Sequence, residues 1–121
     1  MTTDGMTTGG IEGLYVETRN YGATAAFWRS LGYETVVETE HNWGQWVHPS
    51  GGPYVFIAER LDGDLETSPV LAVADTDVLS PARPLDVDQP FERQHWGVLE
   101  AIVRDPDGRR VRLHAPGGDR G

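Results

Sequence analysis

Trp43-Gly44-Gln45-Trp46-Val47-His48-Pro49-Ser50-Gly51-Gly52-Pro53-Tyr54-Val55-Phe56-Ile57-Ala58 has a partial copy further along the chain, between Trp96-Gly97 and Arg110-Val111-Arg112-Leu113-His114. Each stretch opens on Trp-Gly and runs through an apolar strand to a Gly-containing turn, Pro49-Ser50-Gly51-Gly52 in one and Asp105-Pro106-Asp107-Gly108 in the other. Each leaves the turn on a strand rich in β-formers. Leu14-Tyr15-Val16 upstream is matched by Leu71-Ala72-Val73. Two copies of one supersecondary unit dominate the fold and let equivalent positions be compared within one chain.

Upstream of this stretch, Ile11 to Thr18 alternates as a strand does, and so predicts β structure. Asn20 is placed as an N-cap for a helix over Tyr21–Leu31, with Ala23, Phe27 and Leu31 at i, i+4 and i+8 and Gly32 at the position after the C-cap. That stripe predicts a face packed on a sheet, so Phe27, Trp28 and Leu31 read as core or interface. Strands are expected at Glu34–Glu40, Trp43–His48 and Tyr54–Glu59, giving β-α-β-β-β. The second half repeats the pattern with a strand at Pro69–Ala74, a short edge strand near Leu85–Val87, and a hairpin of Trp96–Arg104 with Arg109–His114. Its helix is degraded, because Thr76–Ser80 makes one turn before Pro81 and Pro84 stop it. Asp-Pro-Asp-Gly suits a type I turn with Gly108 left-handed in a bulge.

The fold class expected is therefore α+β, with two βαβββ modules and a short or degraded second helix. The boundaries are a flexible tail over 1–10, a first module over 11–60, an acidic linker over 61–67, a second module over 68–116 and a tail over 117–121. A chain of 121 residues suits one compact domain. It has no cysteine, which excludes thiolate chemistry and a disulfide framework and fits a cytoplasmic setting. No long apolar run predicts a membrane span. The net charge of −9 disfavours nucleic-acid binding and favours a cationic partner, or simply solubility.

Phe27-Trp28-Arg29-Ser30-Leu31-Gly32-Tyr33, Trp96-Gly97 and Val103-Arg104-Asp105-Pro106-Asp107-Gly108, together with Leu14-Tyr15-Val16, resemble the vicinal oxygen chelate superfamily over roughly residues 11 to 115. That superfamily includes glyoxalase I, bleomycin-resistance proteins and extradiol dioxygenases. The resemblance implies that the two modules curl into a cup of mixed sheet holding a ligand, and it implies a homodimer. It also implies a metal bound from four repeat-related positions, which fall here on Ile11, Phe56, Ser68 and Arg112. None is a good ligand for a divalent metal, and Arg112 brings a permanent positive charge. A register slipped by one residue gives Glu12, Ile57, Pro69 and Leu113, which build no site either. We therefore expect no metal and no cofactor.

What remains is aromatic and polar. Tyr15, Tyr54 and Phe56 share one strand parity, and Trp43, Trp46 and Trp96 lie on or beside the hairpins, where planar rings stack on aromatic ligands. Trp43 and Trp96 also suit repeated structural plugs or dimer contacts. Arg110, Arg112 and His114 fall on one face of the last strand. The bulged turn predicts Arg112 opposite Ile102 and His114 opposite Glu100. Glu100 and His114 then read as ligand-orienting groups, as an acid/base pair, or as a cross-strand ion-pair patch. His41, His48, His95 and His114 have no HxH or HExxH spacing. The expected ligand-binding set is Tyr15, Trp46, His48, Tyr54, Phe56, Trp96, Glu100, Ile102, Arg110, Arg112 and His114.

These readings favour a metal-independent protein that sequesters an aromatic, antibiotic-like small molecule. The alternatives are a lyase, isomerase or dioxygenase-type enzyme that uses Glu100 and His114 or an atypical metal site including His48, and an accessory domain with a vestigial cup.

Overall fold

The computed structural model describes residues 8–74, 76, 86–94 and 97–117. Among them the chain is α+β, with one helix and eight strands. Its contacts divide it into two compact units, one spanning Glu12–Pro69 and the other joining the stretch up to Ile11 to the residues from Val70 onward. No helix of the described residues is long and apolar enough to cross a membrane.

The first unit holds β1 (Ile11–Thr18), α1 (Tyr21–Ser30), β2 (Glu34–Glu38), β3 (Trp43–Val47) and β4 (Tyr54–Glu59). Its strand order is β2-β3-β4-β1. β1 runs parallel to β4, with Tyr15 opposite Phe56, and the other pairs are antiparallel. The bounds of β1 and β4 and the start of α1 match the sequence pattern. Asn20 caps the helix, its side chain accepting a hydrogen bond from the Ala23 N–H at 3.0 Å. Gly32 takes φ 98°, which a residue with a side chain resists.

The helix packs through a face other than the one its apolar stripe suggests. Ala23, Phe27 and Leu31 are exposed, Phe27 by 56% and Leu31 by 50%. The buried face is Tyr21 and Ala25 with Trp28, seated on Trp46, Val55 and Ile57. The reason lies at the N-terminus of the helix. The Tyr21 hydroxyl donates to Glu38 Oε2 at 2.7 Å, over Gly44, where a Cβ would collide with that hydroxyl. Burial and the Glu38 hydrogen bond push the Tyr21 phenol up to about 12. This anchor sets the helix rotation.

The second unit takes the Val70–Ala72 part of β5 (Thr67–Ala72), with β6 (Asp86–Arg93), β7 (Val98–Arg104) and β8 (Arg110–Pro116), in the order β5-β8-β7-β6. β5 runs parallel to β8, as β1 does to β4, so the repeat is one of topology as well as sequence. The Asp105–Gly108 turn forms as expected, with the Gly108 N–H bonded to Asp105 O at 2.9 Å and Gly108 at φ 86°. The short edge strand expected near Leu85–Val87 is instead an eight-residue strand, Asp86–Arg93. Pro90 is tolerated within it because β6 pairs on one side only, with β7. Strand structure begins at Thr67, inside the stretch read as linker. The helical turn expected over Thr76–Ser80 lies, apart from Thr76, outside the described residues. Gly9 and Gly10 bond Ala72 through the backbone at 2.7 and 3.2 Å. The core of this unit is Val73, Ala101, Val103, Leu113 and Ala115.

Candidate functional site

Each unit turns one apolar face to its core and a chemically distinctive face the other way. On β8 the period-two alternation sends Val111, Leu113 and Ala115 to the core cluster. It sends Arg110, Arg112 and His114 to the opposite face. The β7–β8 register sets Glu100 opposite His114 and Ile102 opposite Arg112, the pairing that the bulged turn predicts.

These residues form a buried charge network. Arg112 Nη1 donates to Glu100 Oε1 at 3.1 Å, and His114 Nε2 meets Glu100 Oε2 at 2.9 Å. The three side chains are only 8% (Glu100), 10% (Arg112) and 12% (His114) exposed. Burial by itself would raise the Glu100 carboxyl, but the His114 hydrogen bond and the Arg112 charge together hold it below the ordinary glutamate range. Gln89 on β6 clamps the same strand, its Nε2 donating to Glu100 O at 3.0 Å. Asp88 gathers two arginines at the exposed margin, Arg104 Nε at 3.1 Å and Arg110 Nε at 3.3 Å. Chemically this is a fixed carboxylate gripping an imidazole, with a guanidinium as counter-charge. It can orient a polar ligand or hold a proton at His114.

In the first unit the equivalent face is aromatic. Trp43 and Phe56 stack with centroids 5.2 Å apart and planes 18° from parallel, and Tyr15 stacks on the other side of Phe56 at 6.1 Å and 24°. Strand pairing causes this: Tyr15 lies opposite Phe56 on the parallel neighbour, and β3 brings Trp43 alongside β4. The Tyr15 hydroxyl donates to Glu17 Oε2 at 2.9 Å, and that of Tyr54 donates to Glu12 Oε2 at 3.1 Å. Gly13 makes room for the Tyr54 ring, which a Cβ there would strike. Tyr15, Tyr54 and Phe56 thus share a face, as their parity predicts, and Trp43 joins them.

Two expected site residues go elsewhere. Trp46 is fully buried against α1, on the face opposite Phe56. It stands three residues from Trp43, and an odd spacing on a strand sends two side chains to opposite faces. Arg29 lies over its ring at 4.9 Å. His48 follows β3 and rests edge-on against Tyr33 at 5.2 Å, beside Gly32, while its Nδ1 accepts from the Ser50 N–H. It packs beside the Gly32–Tyr33 stretch that follows the helix and joins neither face. Trp96 lies outside the described residues. Sequence reasoning missed Glu17, whose i+2 relation to Tyr15 was its signal, and Asp88, for which no signal existed because β6 was not foreseen at that length.

The metal implied by the resemblance does not suit these side chains. Ile11 and Phe56 are apolar, Ser68 donates its hydroxyl to Glu66 Oε2 at 2.8 Å, and Arg112 is a cation paired with Glu100. Among the described residues no group of three or more His, Asp or Glu side chains is placed to hold a metal ion.

No protein-family model matches the sequence, and no curated protein does. Solved structures do match. A methylmalonyl-CoA epimerase from Mycobacterium tuberculosis aligns with TM-score 0.75 at 12% identity, over 98% of this chain and 94% of that one. A glyoxalase/bleomycin resistance protein/dioxygenase superfamily member from Vibrio splendidus 12B01 aligns with TM-score 0.65 at 17% identity, over 85% and 96%. The 2,3-dioxygenase LapB from Pseudomonas sp. KL28 aligns with TM-score 0.59 at 13% identity, over 92% of this chain and 43% of that one. The chain therefore has the glyoxalase/bleomycin-resistance/dioxygenase fold, which hosts enzymes and binding proteins alike.

Proposed function

We propose that this protein binds and sequesters a planar aromatic, antibiotic-like small molecule without a metal, as a cytoplasmic homodimer. The observation that carries the reading is the row of three near-parallel rings, Trp43, Phe56 and Tyr15, half-buried on the face of the first unit turned away from its helix. Flat rings set in parallel favour a flat partner, because offset stacking rewards matched planes. The unsuitability of Ile11, Phe56, Ser68 and Arg112 as metal ligands supports the metal-independent part. The exposed Phe27 and Leu31 on α1 offer apolar surface for a second copy. A calorimetric screen of planar aromatic and glycopeptide antibiotics tests the reading: we expect at least one dissociation constant near or below about 10 μM. Heats of dilution throughout the panel would reject it.

A second reading rests on a separate observation. Glu100 and His114 stand 2.9 Å apart in a buried setting, an arrangement suited to proton transfer in a lyase, isomerase or dioxygenase-type reaction. Glu100→Gln separates the two readings, since an enzyme loses turnover while ligand affinity is retained.

A further inference from the structure

We infer that the planar ligand of the first unit is a cation, with its positive charge in or directly attached to the ring system. This deepens the binding reading and rests on it. The observation is a shared feature of the two tyrosines on the ring-bearing face: each gives its hydroxyl proton to a carboxylate. Tyr15 donates to Glu17 at 2.9 Å and Tyr54 to Glu12 at 3.1 Å. A phenol donating to a carboxylate gains phenolate character, and the extra electron density spreads into the ring. The negative π face then attracts a cation more strongly than an ordinary tyrosine does.

The local charges point the same way. Strand alternation puts Tyr15, Glu17, Trp43, Gln45, Tyr54 and Phe56 on one face, and the charged residue among them is acidic. The Glu17 side chain is only 9% exposed, with Oε1 accepting from the Glu66 N–H at 2.9 Å and Oε2 from Tyr15, so its position is fixed. Arg60, one residue past β4, is half exposed, with its Nη1 4.0 Å from Glu17 Oε2. A net charge of −9 adds long-range attraction for a cation and repulsion for an anion.

The experiment titrates the full chain by calorimetry with two flat three-ring probes of similar size, N-methylacridinium and anthracene-2-sulfonate, at low and physiological salt. We expect the cation to bind at least ten-fold more tightly at both. Tyr15→Phe, which keeps the ring but removes the donated proton, should weaken the cation by about two- to five-fold. Glu17→Gln should do the same, with folding checked for each variant by circular dichroism and melting temperature. Equal or tighter binding of the sulfonate overturns the cation inference and leaves the planar-ligand reading standing. Cation binding indifferent to both substitutions also overturns it, by placing the probe elsewhere. Binding of neither probe removes both the inference and the reading beneath it.

Discussion

β4 and β8 occupy the same place in the two copies of the repeat, yet their distinctive faces are built from opposite chemistry. β4 presents Tyr54 and Phe56, stacked with neighbours from β1 and β3. β8 presents Arg110, Arg112 and His114, held by carboxylates from β6 and β7. Both strands run parallel to the first strand of their unit, and both put their alternate residues into an apolar core. The backbone fixes which side chains share a face; residue type at those positions decides whether the face stacks or carries charge. A duplicated scaffold can therefore divide labour between its copies without altering its topology.

The comparison predicts unequal responses to substitution. Glu100→Ala should be the most damaging, at about 3–5 kcal/mol, because it removes the buried carboxylate shared by Arg112 and His114. Glu100→Leu combined with Arg112→Met should recover most of that loss, since exchanging a buried ion pair for packed apolar groups is often neutral. Chemical denaturation measures both. If the single and double variants are equally unstable, the network is not held together by charge. Phe56→Leu, at the equivalent place in β4, should cost about 1–2 kcal/mol through two lost stacking contacts.

Titration should separate the units as well. Glu100 sits below its ordinary pKa, so it stabilises the fold above the unfolded value of about 4.3, and that stability drains away as pH falls through the folded value. Tyr21 has the opposite sign. Its phenol is raised to about 12, so its contribution is complete below about pH 10 and is lost as pH climbs from there toward the folded value. Glu100→Gln should blunt the acid limb of a stability–pH curve and leave the alkaline limb alone, while Tyr21→Phe should do the reverse. The smallest effect is expected for Asp88→Asn, about 0–1 kcal/mol, because its two arginine pairs are partly exposed to solvent.

Local signals in the chain were a good guide wherever they were strong. Alternation over Ile11–Thr18, the Asn20 cap and the Asp-Pro-Asp-Gly turn located β1, the start of α1 and the β7–β8 register, and through that register the contact of Glu100 with His114. The signals misled where a long-range contact outranked them. The regular spacing of Ala23, Phe27 and Leu31 pointed to the wrong helix face, because the Tyr21–Glu38 bond over Gly44 turns the helix. Trp46 and Trp43 were grouped by residue type although their spacing already separated them. The polar sequence of β6, interrupted by Pro90, concealed a full-length edge strand, and with it Asp88.

The most direct test of metal-free binding on the aromatic face is one titration performed twice. A planar aromatic ligand that binds the purified protein would be measured by calorimetry before and after exhaustive treatment with a chelator, alongside Phe56→Leu. Metal-free binding gives the same affinity in both titrations and a weaker one in the variant. Binding that disappears with the chelator and returns on adding a divalent metal would contradict it.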